Sequence, residues 1–240
     1  MLLYYVRHGD PIYNPDSLTE LGKAQAEALK HRFAAYGLDR IYSSTSNRAY
    51  QTALPTANIL KKEITQLDWC NEGKAFAEFT ATDPSGAKAW HFWYPESRKV
   101  FLSKEIRELG ERWYDHPYFK DTPCKSGVER INREVDAFFS ELGYEHDREQ
   151  GVFIPTKPND MRIALFAHEG FGMSFFSSVL DIPYPLFCTR FGIGHSSVTV
   201  IELDDHFGVG YCVPTVLQFG NDSHLYADRL PTKFHNRIYL

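Results

Sequence analysis

Apolar positions along the chain follow two spacings in alternation. Leu2, Leu3, Tyr4, Tyr5 and Val6 form an unbroken β-prone run that stops at Arg7, the pattern of a strand buried on both faces. A helix follows, because Leu18, Leu21, Gln25, Leu29 and Phe33 recur at helical spacing; Ser17 or Thr19 can cap it and Gly37 can end it. Arg40 to Ser43 reads as a short second strand. Residues 46–61 read as a helix that Pro55 should kink or divide, since proline brings no amide donor. Residues 64–67 suit another strand, and the pattern is then irregular to about residue 124. Ser126 and Glu129 form a capping box ahead of a stripe of Val128, Ile131, Val135, Phe138 and Leu142, with Gly143 after it. Residues 144–160 read as a loop with room for a short strand at Val152 to Ile154. Arg162 to Ala167 is a second near-continuous apolar strand, followed by His168-Glu169-Gly170 and a helix through Leu180. Val198 to Leu203 and Val209 to Val213 read as a closing hairpin around Asp204, Asp205 and Gly208.

Strands alternating with helices predict a parallel or mixed sheet whose carboxyl edge gathers functional groups. Two of the strands end in a histidine. The length of 240 residues suits one large α/β domain or two small ones, and no repeat or low-complexity segment divides it. With 43% hydrophobic and 24% charged residues, disordered, collagenous and coiled-coil classes are excluded. A net charge of -5 argues against a general nucleic-acid binder but leaves room for a local basic pocket. Cys70, Cys124, Cys188 and Cys212 are scattered singly, without C-x-x-C spacing, and read as reduced thiols. No apolar stretch is long enough for a signal-peptide core or a membrane span, so a cytoplasmic protein without a membrane partner is expected.

Arg7-His8-Gly9 stands where the first strand ends. A guanidinium offers a planar fork of donors to phosphoryl oxygens, a neutral imidazole nitrogen can attack phosphorus, and glycine lets the backbone approach a ligand. A lone Arg-His-Gly is common, so the rest of the chain has to support the reading. Val6-Arg7-His8-Gly9 is followed by Asn14, by Leu18-Thr19-Glu20 with Gly22, Gln25 and Ala26, and by Tyr42-Ser43-Ser44 with Arg48-Ala49 and Gln51-Thr52-Ala53. Phe166-Ala167-His168 with Gly170, and Asn221 with His224-Leu225, come later in the same order. In these motifs the chain resembles the histidine phosphatase superfamily, with its phosphoglycerate mutase-like fold, over nearly its whole length.

The resemblance implies a three-layer α/β sandwich with a mainly parallel central sheet. It implies that His8 is a nucleophile forming a phosphohistidine, with Arg7, Arg48 and His168 around the phosphoryl group. Fixed cationic donors stabilise the charge spread over the phosphoryl oxygens, so no metal or cofactor is expected. Arg48 falls in the first turn of its helix, where free amides add positive potential. Glu169 stands where many family members have glycine; pointing inward it would favour the His168 imidazolium and repel substrate. A carboxylic acid is needed to protonate the leaving oxygen. Glu72 is the first candidate and Glu78 the second; either can equally be a solvated surface group. Asn14 can donate an amide to phosphate or sit in a surface turn, and His195 can line the site or make a structural contact. His168-Glu169 is not H-E-x-x-H, and Gly192 and Gly194 form no dinucleotide fingerprint.

Residues 69 to 125 interleave Trp90, Phe92, Trp93, Phe101, Trp113 and Phe119 with Arg98, Lys99, Arg107 and Arg112. Single-stranded nucleic acid is one ligand for such a surface. The acidic balance and the flanking motifs favour an inserted cap within a single domain spanning 1–240, and many of its rings suit an ordinary core. The chain thus reads as a phosphatase, a histidine acid phosphatase-type phosphomonoesterase acting on a small phosphorylated substrate. A mutase, or a binding protein that kept the pocket, is the alternative; oligomeric state and substrate stay open.

Overall fold

The computed structural model describes residues 1–232. From the amino end, β1 (Leu2–Arg7) leads into the small hairpin β2 (Pro11–Tyr13) and β3 (Asp16–Leu18), then α1 (Glu20–Tyr36), β4 (Arg40–Ser44), α2 (Asn47–Leu60) and β5 (Ile64–Leu67). Next come α3 (Glu72–Glu78), the hairpin of β6 (Thr80–Thr82) and β7 (Lys88–Trp90), α4 (Pro95–Phe101), α5 (Lys104–Leu109) and α6 (Cys124–Glu141). A third hairpin, β8 (Tyr144–Asp147) and β9 (Val152–Pro155), precedes β10 (Arg162–Ala167), α7 (Glu169–Val179) and α8 (Tyr184–Cys188). The described chain closes with β11 (Val198–Glu202), β12 (Thr215–Asn221) and α9 (Ser223–Ala227).

Six strands form the central sheet in the order β12-β11-β1-β10-β4-β5. The pairs β1/β10, β10/β4 and β4/β5 are parallel, and β11 is antiparallel to both β1 and β12. The unbroken apolar runs of β1 and β10 follow from this placement, since each face of the central strands is covered. Leu3, Tyr5, Ile163 and Leu165 point into one core with Phe139 of α6 and Phe171 and Phe175 of α7. Tyr4, Val6, Ala164 and Phe166, one residue out of phase, point into the other with Leu29 and Phe33 of α1 and Ala53 and Ala57 of α2. The result is three layers, as the motifs implied.

Local chemistry decides one choice the sequence left open and departs from its pattern elsewhere. Thr19, not Ser17, caps α1, its hydroxyl accepting from the Gly22 amide at 3.0 Å. α2 runs unbroken through Pro55, so the proline does not divide it. The capping box at Ser126 does not form: α6 begins at Cys124, buried in the core, and Ser126 donates to the Pro123 carbonyl at 2.9 Å within the first turn. The closing hairpin pairs β11 with β12, not with residues 209–213. There the Asp205 carboxylate accepts from the amides of Val209 (2.8 Å) and Gly210 (2.7 Å), curling the segment into a turn that leaves Val209, Tyr211 and Val213 exposed. β8 escaped notice because Glu145, His146 and Asp147 are polar. The His146 ring is nevertheless stacked on Phe153, with ring centroids 4.1 Å apart.

Residues 69–125 do not fold as a separate unit. Phe79, Phe92, Phe101, Trp113 and Phe119 join the same core as α6 and α7, so most of its rings are structural. Two of its cations are turned to structural work as well: Arg98 donates to the carbonyls of Phe92 (3.0 Å) and Thr189 (3.1 Å), and Arg107 to that of Leu102 (2.8 Å). All four cysteines are buried and free. Among the described residues no helix is long and apolar enough to cross a membrane.

Candidate active site

β1 and β10 are adjacent, parallel and in register, Arg7 opposite Ala167. The residues just beyond them, His8 and His168, therefore emerge side by side at the carboxyl edge. The His8 amide continues the ladder by donating to the Ala167 carbonyl at 3.0 Å, and the two ring centroids lie 5.2 Å apart, close to the spacing of neighbouring strands. Both rings are buried, at 1% and 0% exposure.

Hydrogen bonds fix the protonation of each ring. His8 Nδ1 lies 2.7 Å from the Gly9 carbonyl, which can only accept, so Nδ1 carries the proton and Nε2 keeps a lone pair. Burial first, with the neighbouring His168 and the Arg7 cation adding to it, holds the His8 pKa well below its ordinary value, so the ring is neutral. Burial and the nearby Arg48 and Arg7 lower His168 in the same way. His168 Nδ1 accepts from Arg48 Nη2 at 3.1 Å, which leaves its Nε2 to donate to Ser44 Oγ at 2.9 Å. Ser46 Oγ stands 3.2 Å from the same nitrogen, and this N-cap serine of α2 is engaged there without capping its helix.

Arg48 is the hub of the site. Its Nη1 donates to Asp16 Oδ1 and its Nη2 to Glu72 Oε2, both at 2.8 Å. Glu72, on the first turn of α3, also accepts from the Gly170 amide at 3.1 Å, tying α3 to the start of α7. Arg7 donates to the Ile193 carbonyl at 2.5 Å and pairs with Glu169 at 2.9 Å. Glu169 is thus turned to Arg7, not to His168. A cavity of about 580 Å³ is lined by Arg7, Asp16, Arg48, Glu72 and Glu169 together with Tyr13, Phe76, Trp90 and Trp93. His8 is buried and not part of that lining, with a ring nitrogen within 4.8 Å of ligand atoms of Glu72 and His168.

Other candidates fall elsewhere. Glu78 is held by both Nε and Nη2 of Arg130, at 2.7 and 2.6 Å, and is absent from the lining. Asn14 lies in the exposed β2–β3 turn, and its neighbours Tyr13 and Asp16 line the cavity instead. His195 stands beside His8, centroids 5.5 Å apart, with Nδ1 3.6 Å from Asp10, and it too is outside the lining. Gly9 serves packing more than ligand approach: a Cβ there would stand 2.7 Å from the Gly22 carbonyl oxygen.

Asp16 was not foreseen, since nothing in its immediate sequence announces a partner at residue 48. Ser44 and Thr52 lay inside quoted motifs without an assigned task. Thr52 accepts from the Gly9 amide at 2.9 Å and donates to the Arg48 carbonyl at 2.7 Å. The C-terminal signature acts at a distance: Ser196 Oγ meets His224 Nε2 at 2.9 Å, and the Ser196 amide donates to the His8 carbonyl at 3.1 Å.

The donor set of His8, Glu72 and His168 is the group among the described residues that could hold a metal ion. Arg48 Nη2 already touches two of those three ligand groups, so a fixed cation stands where a metal would bridge them.

A sheet of this order with paired histidines at its carboxyl edge has the phosphoglycerate mutase-like architecture. Residues 3–116 match the family model of the histidine phosphatase superfamily (branch 1). A curated relative, a putative phosphoserine phosphatase 2 of Hydrogenobacter thermophilus, is 28% identical over 155 residues, covering 60% of this chain and 68% of its own. Among solved structures, a phosphoserine phosphatase from Entamoeba histolytica matches with a TM-score of 0.59 at 18% identity, covering 93% of this chain and 98% of that one. A mycobacterial glucosyl-3-phosphoglycerate phosphatase also gives 0.59 at 18% identity, covering 91% and 98%. The family and these relatives support a phosphatase or phosphoryl-transfer function.

Proposed function

We propose that the protein is a metal-independent phosphomonoesterase working through a phosphohistidine on His8. The observation that carries this reading is the Nδ1–H bond from His8 to Gly9, which leaves Nε2 unprotonated on a ring that stands beside Glu72 and His168. In this scheme Nε2 attacks phosphorus in line, and the bond to the ester oxygen breaks as that oxygen takes a proton from Glu72. Arg7, Arg48 and His168 hold the equatorial oxygens. Phosphate oxygens at Arg48 Nη2 compete with Glu72 Oε2 for that donor. After the alcohol leaves, Glu72 takes a proton from water, which attacks the phosphohistidine and releases phosphate.

Arg48 supports independence from metal, because its guanidinium supplies the positive charge at the shared ligand atoms. The substrates of the relatives, phosphoserine and glucosyl-3-phosphoglycerate among them, make small phosphate esters the class to assay. The test is phosphate release from a panel of phosphate esters, with and without chelator and with His8→Ala as control. Release that survives chelation and falls by several orders of magnitude in His8→Ala, with an acid-labile phosphoryl group trapped on His8, is expected. Loss on chelation restored by a divalent ion would remove the metal-independent mechanism, and rapid isomerisation of 3-phosphoglycerate without phosphate release would make the protein a mutase.

A further inference from the structure

Two observations about the cavity bear on what the phosphoryl group is attached to. The first is charge. Among the described residues the lining has two cations, Arg7 and Arg48, against three carboxylates, Asp16, Glu72 and Glu169. Both arginines are committed to the phosphoryl group when substrate binds. A second acidic group on the substrate would then face carboxylates with no described cation to meet it, a cost the low-dielectric wall enlarges. The cations of the 69–125 segment bring no relief, since Arg98 and Arg107 are bonded to backbone carbonyls and neither they nor Lys99 is in the lining.

The second observation is shape and polarity. The cavity, about 580 Å³, is much larger than a phosphoryl group, and three rings of the insertion, Phe76, Trp90 and Trp93, form part of its wall. Trp90 is rigidly placed: it meets Phe76 edge-on at 5.1 Å between centroids, and a Cβ at position 170 would lie 2.1 Å from its Cζ2, so Gly170 is needed to admit it. Trp93 is 51% exposed. Indole and phenyl faces attract flat apolar groups by area burial and by stacking.

We infer that this cavity selects phosphomonoesters whose alcohol carries a flat, uncharged apolar group and no second acidic group. The inference rests on the phosphatase reading and gives it a substrate class. Phosphoserine and 3-phosphoglycerate, each with a carboxylate beside the phosphate, become poor substrates.

The test compares esters with the same kind of leaving group, so that chemistry does not mask recognition: 2-phenylethyl phosphate, propyl phosphate, phosphoserine and 3-phosphoglycerate. We expect kcat/KM for the phenylethyl ester to exceed that for the propyl ester about tenfold, mainly through KM. In Trp93→Ala that ratio should fall toward one. Affinities of the same esters for the His8→Ala protein, measured by calorimetry, should follow the same order. A calorimetric preference for the phenylethyl ester without turnover in the wild type would sustain the selectivity while sinking the phosphatase reading. Equal affinity and kcat/KM for the phenylethyl and propyl esters, a preference for either carboxylated ester, or an unchanged ratio in Trp93→Ala would overturn the inference.

Discussion

The proton on His8 Nδ1 is held by the carbonyl of the very next residue, so the orientation of the reactive nitrogen is built into a dipeptide. With its pKa held well below 6.5 by burial and by His168 and Arg7, the ring stays neutral as pH falls through the ordinary histidine range. Nitrogen NMR should therefore find His8 as the Nδ1–H tautomer across about pH 6 to 8; an imidazolium signal growing in over that interval would contradict the assignment. Glu72 can be separated from Glu78 by leaving group. Glu72→Gln should depress turnover of alkyl phosphates about 10²- to 10⁴-fold and of aryl phosphates much less, because a phenolate needs little help from an acid. Glu78→Gln should spare turnover and lower stability, since it leaves Arg130 half-buried without its carboxylate. The reverse pattern would move the acid role to Glu78. The clustered histidines and arginines could be singled out in the sequence because each stands in a short motif, whereas Glu72 was preferred to Glu78 only by its place after β5. Asp16 could not be, because its bond to Arg48 exists only once the β2–β3 hairpin and the start of α2 are brought together.

At the scale of elements, the loop after β1 is clamped from several sides. Gln25 of α1 accepts from the Asp10 amide and Gln51 of α2 from the Leu18 amide, at 2.8 and 2.9 Å. The clamp works only because α1 starts almost in contact with that loop. A Cβ on Gly22 would sit 2.2 Å from the Asp10 carbonyl oxygen, which is backbone and has nowhere to go. Gly22→Ala should thus cost ~1–3 kcal/mol in urea unfolding and reduce activity by displacing the Gly9 end of the nucleophile loop; an unchanged midpoint would show that the helix can back away. Strand and helix identities were readable wherever burial is two-sided or the stripe is regular. They failed at β12, whose half-exposed residues carry no clean alternation, and at β8, where polar Glu145, His146 and Asp147 stand in a row and His146 finds its partners in Asp136 and Asp181.

Across the whole molecule, the face of the sheet covered by α6 and α7 is stapled by an ionic cluster remote from the cavity. His146 meets Asp136 Oδ1 at 3.1 Å and Asp181 Oδ2 at 2.9 Å, and Arg148 pairs with both carboxylates, joining α6, β8 and the turn after α7. Burial pulls the His146 pKa down, but the two aspartates outweigh it and the net shift is upward from 6.5. Its contribution is therefore fully present below the unfolded value and is lost as pH rises through the raised folded value. For Asp136, burial is likewise outweighed, here by His146 and Arg148, and its lowered pKa makes its share fade only at acid pH. The melting temperature of the wild type should exceed that of His146→Gln most at about pH 5 to 6 and less above about pH 8. A gap that is constant with pH would mean that the ring acts by stacking on Phe153 alone. The paired histidines at the sheet edge have a consequence of another kind. Their separation is a lattice constant of the parallel ladder between β1 and β10, shared with every residue pair below them. Exposed positions of the segment between β5 and α6, Trp93 among them, can thus change which molecule is admitted without recalibrating the distance across which phosphate is handled, so long as its buried rings and Glu72 are kept.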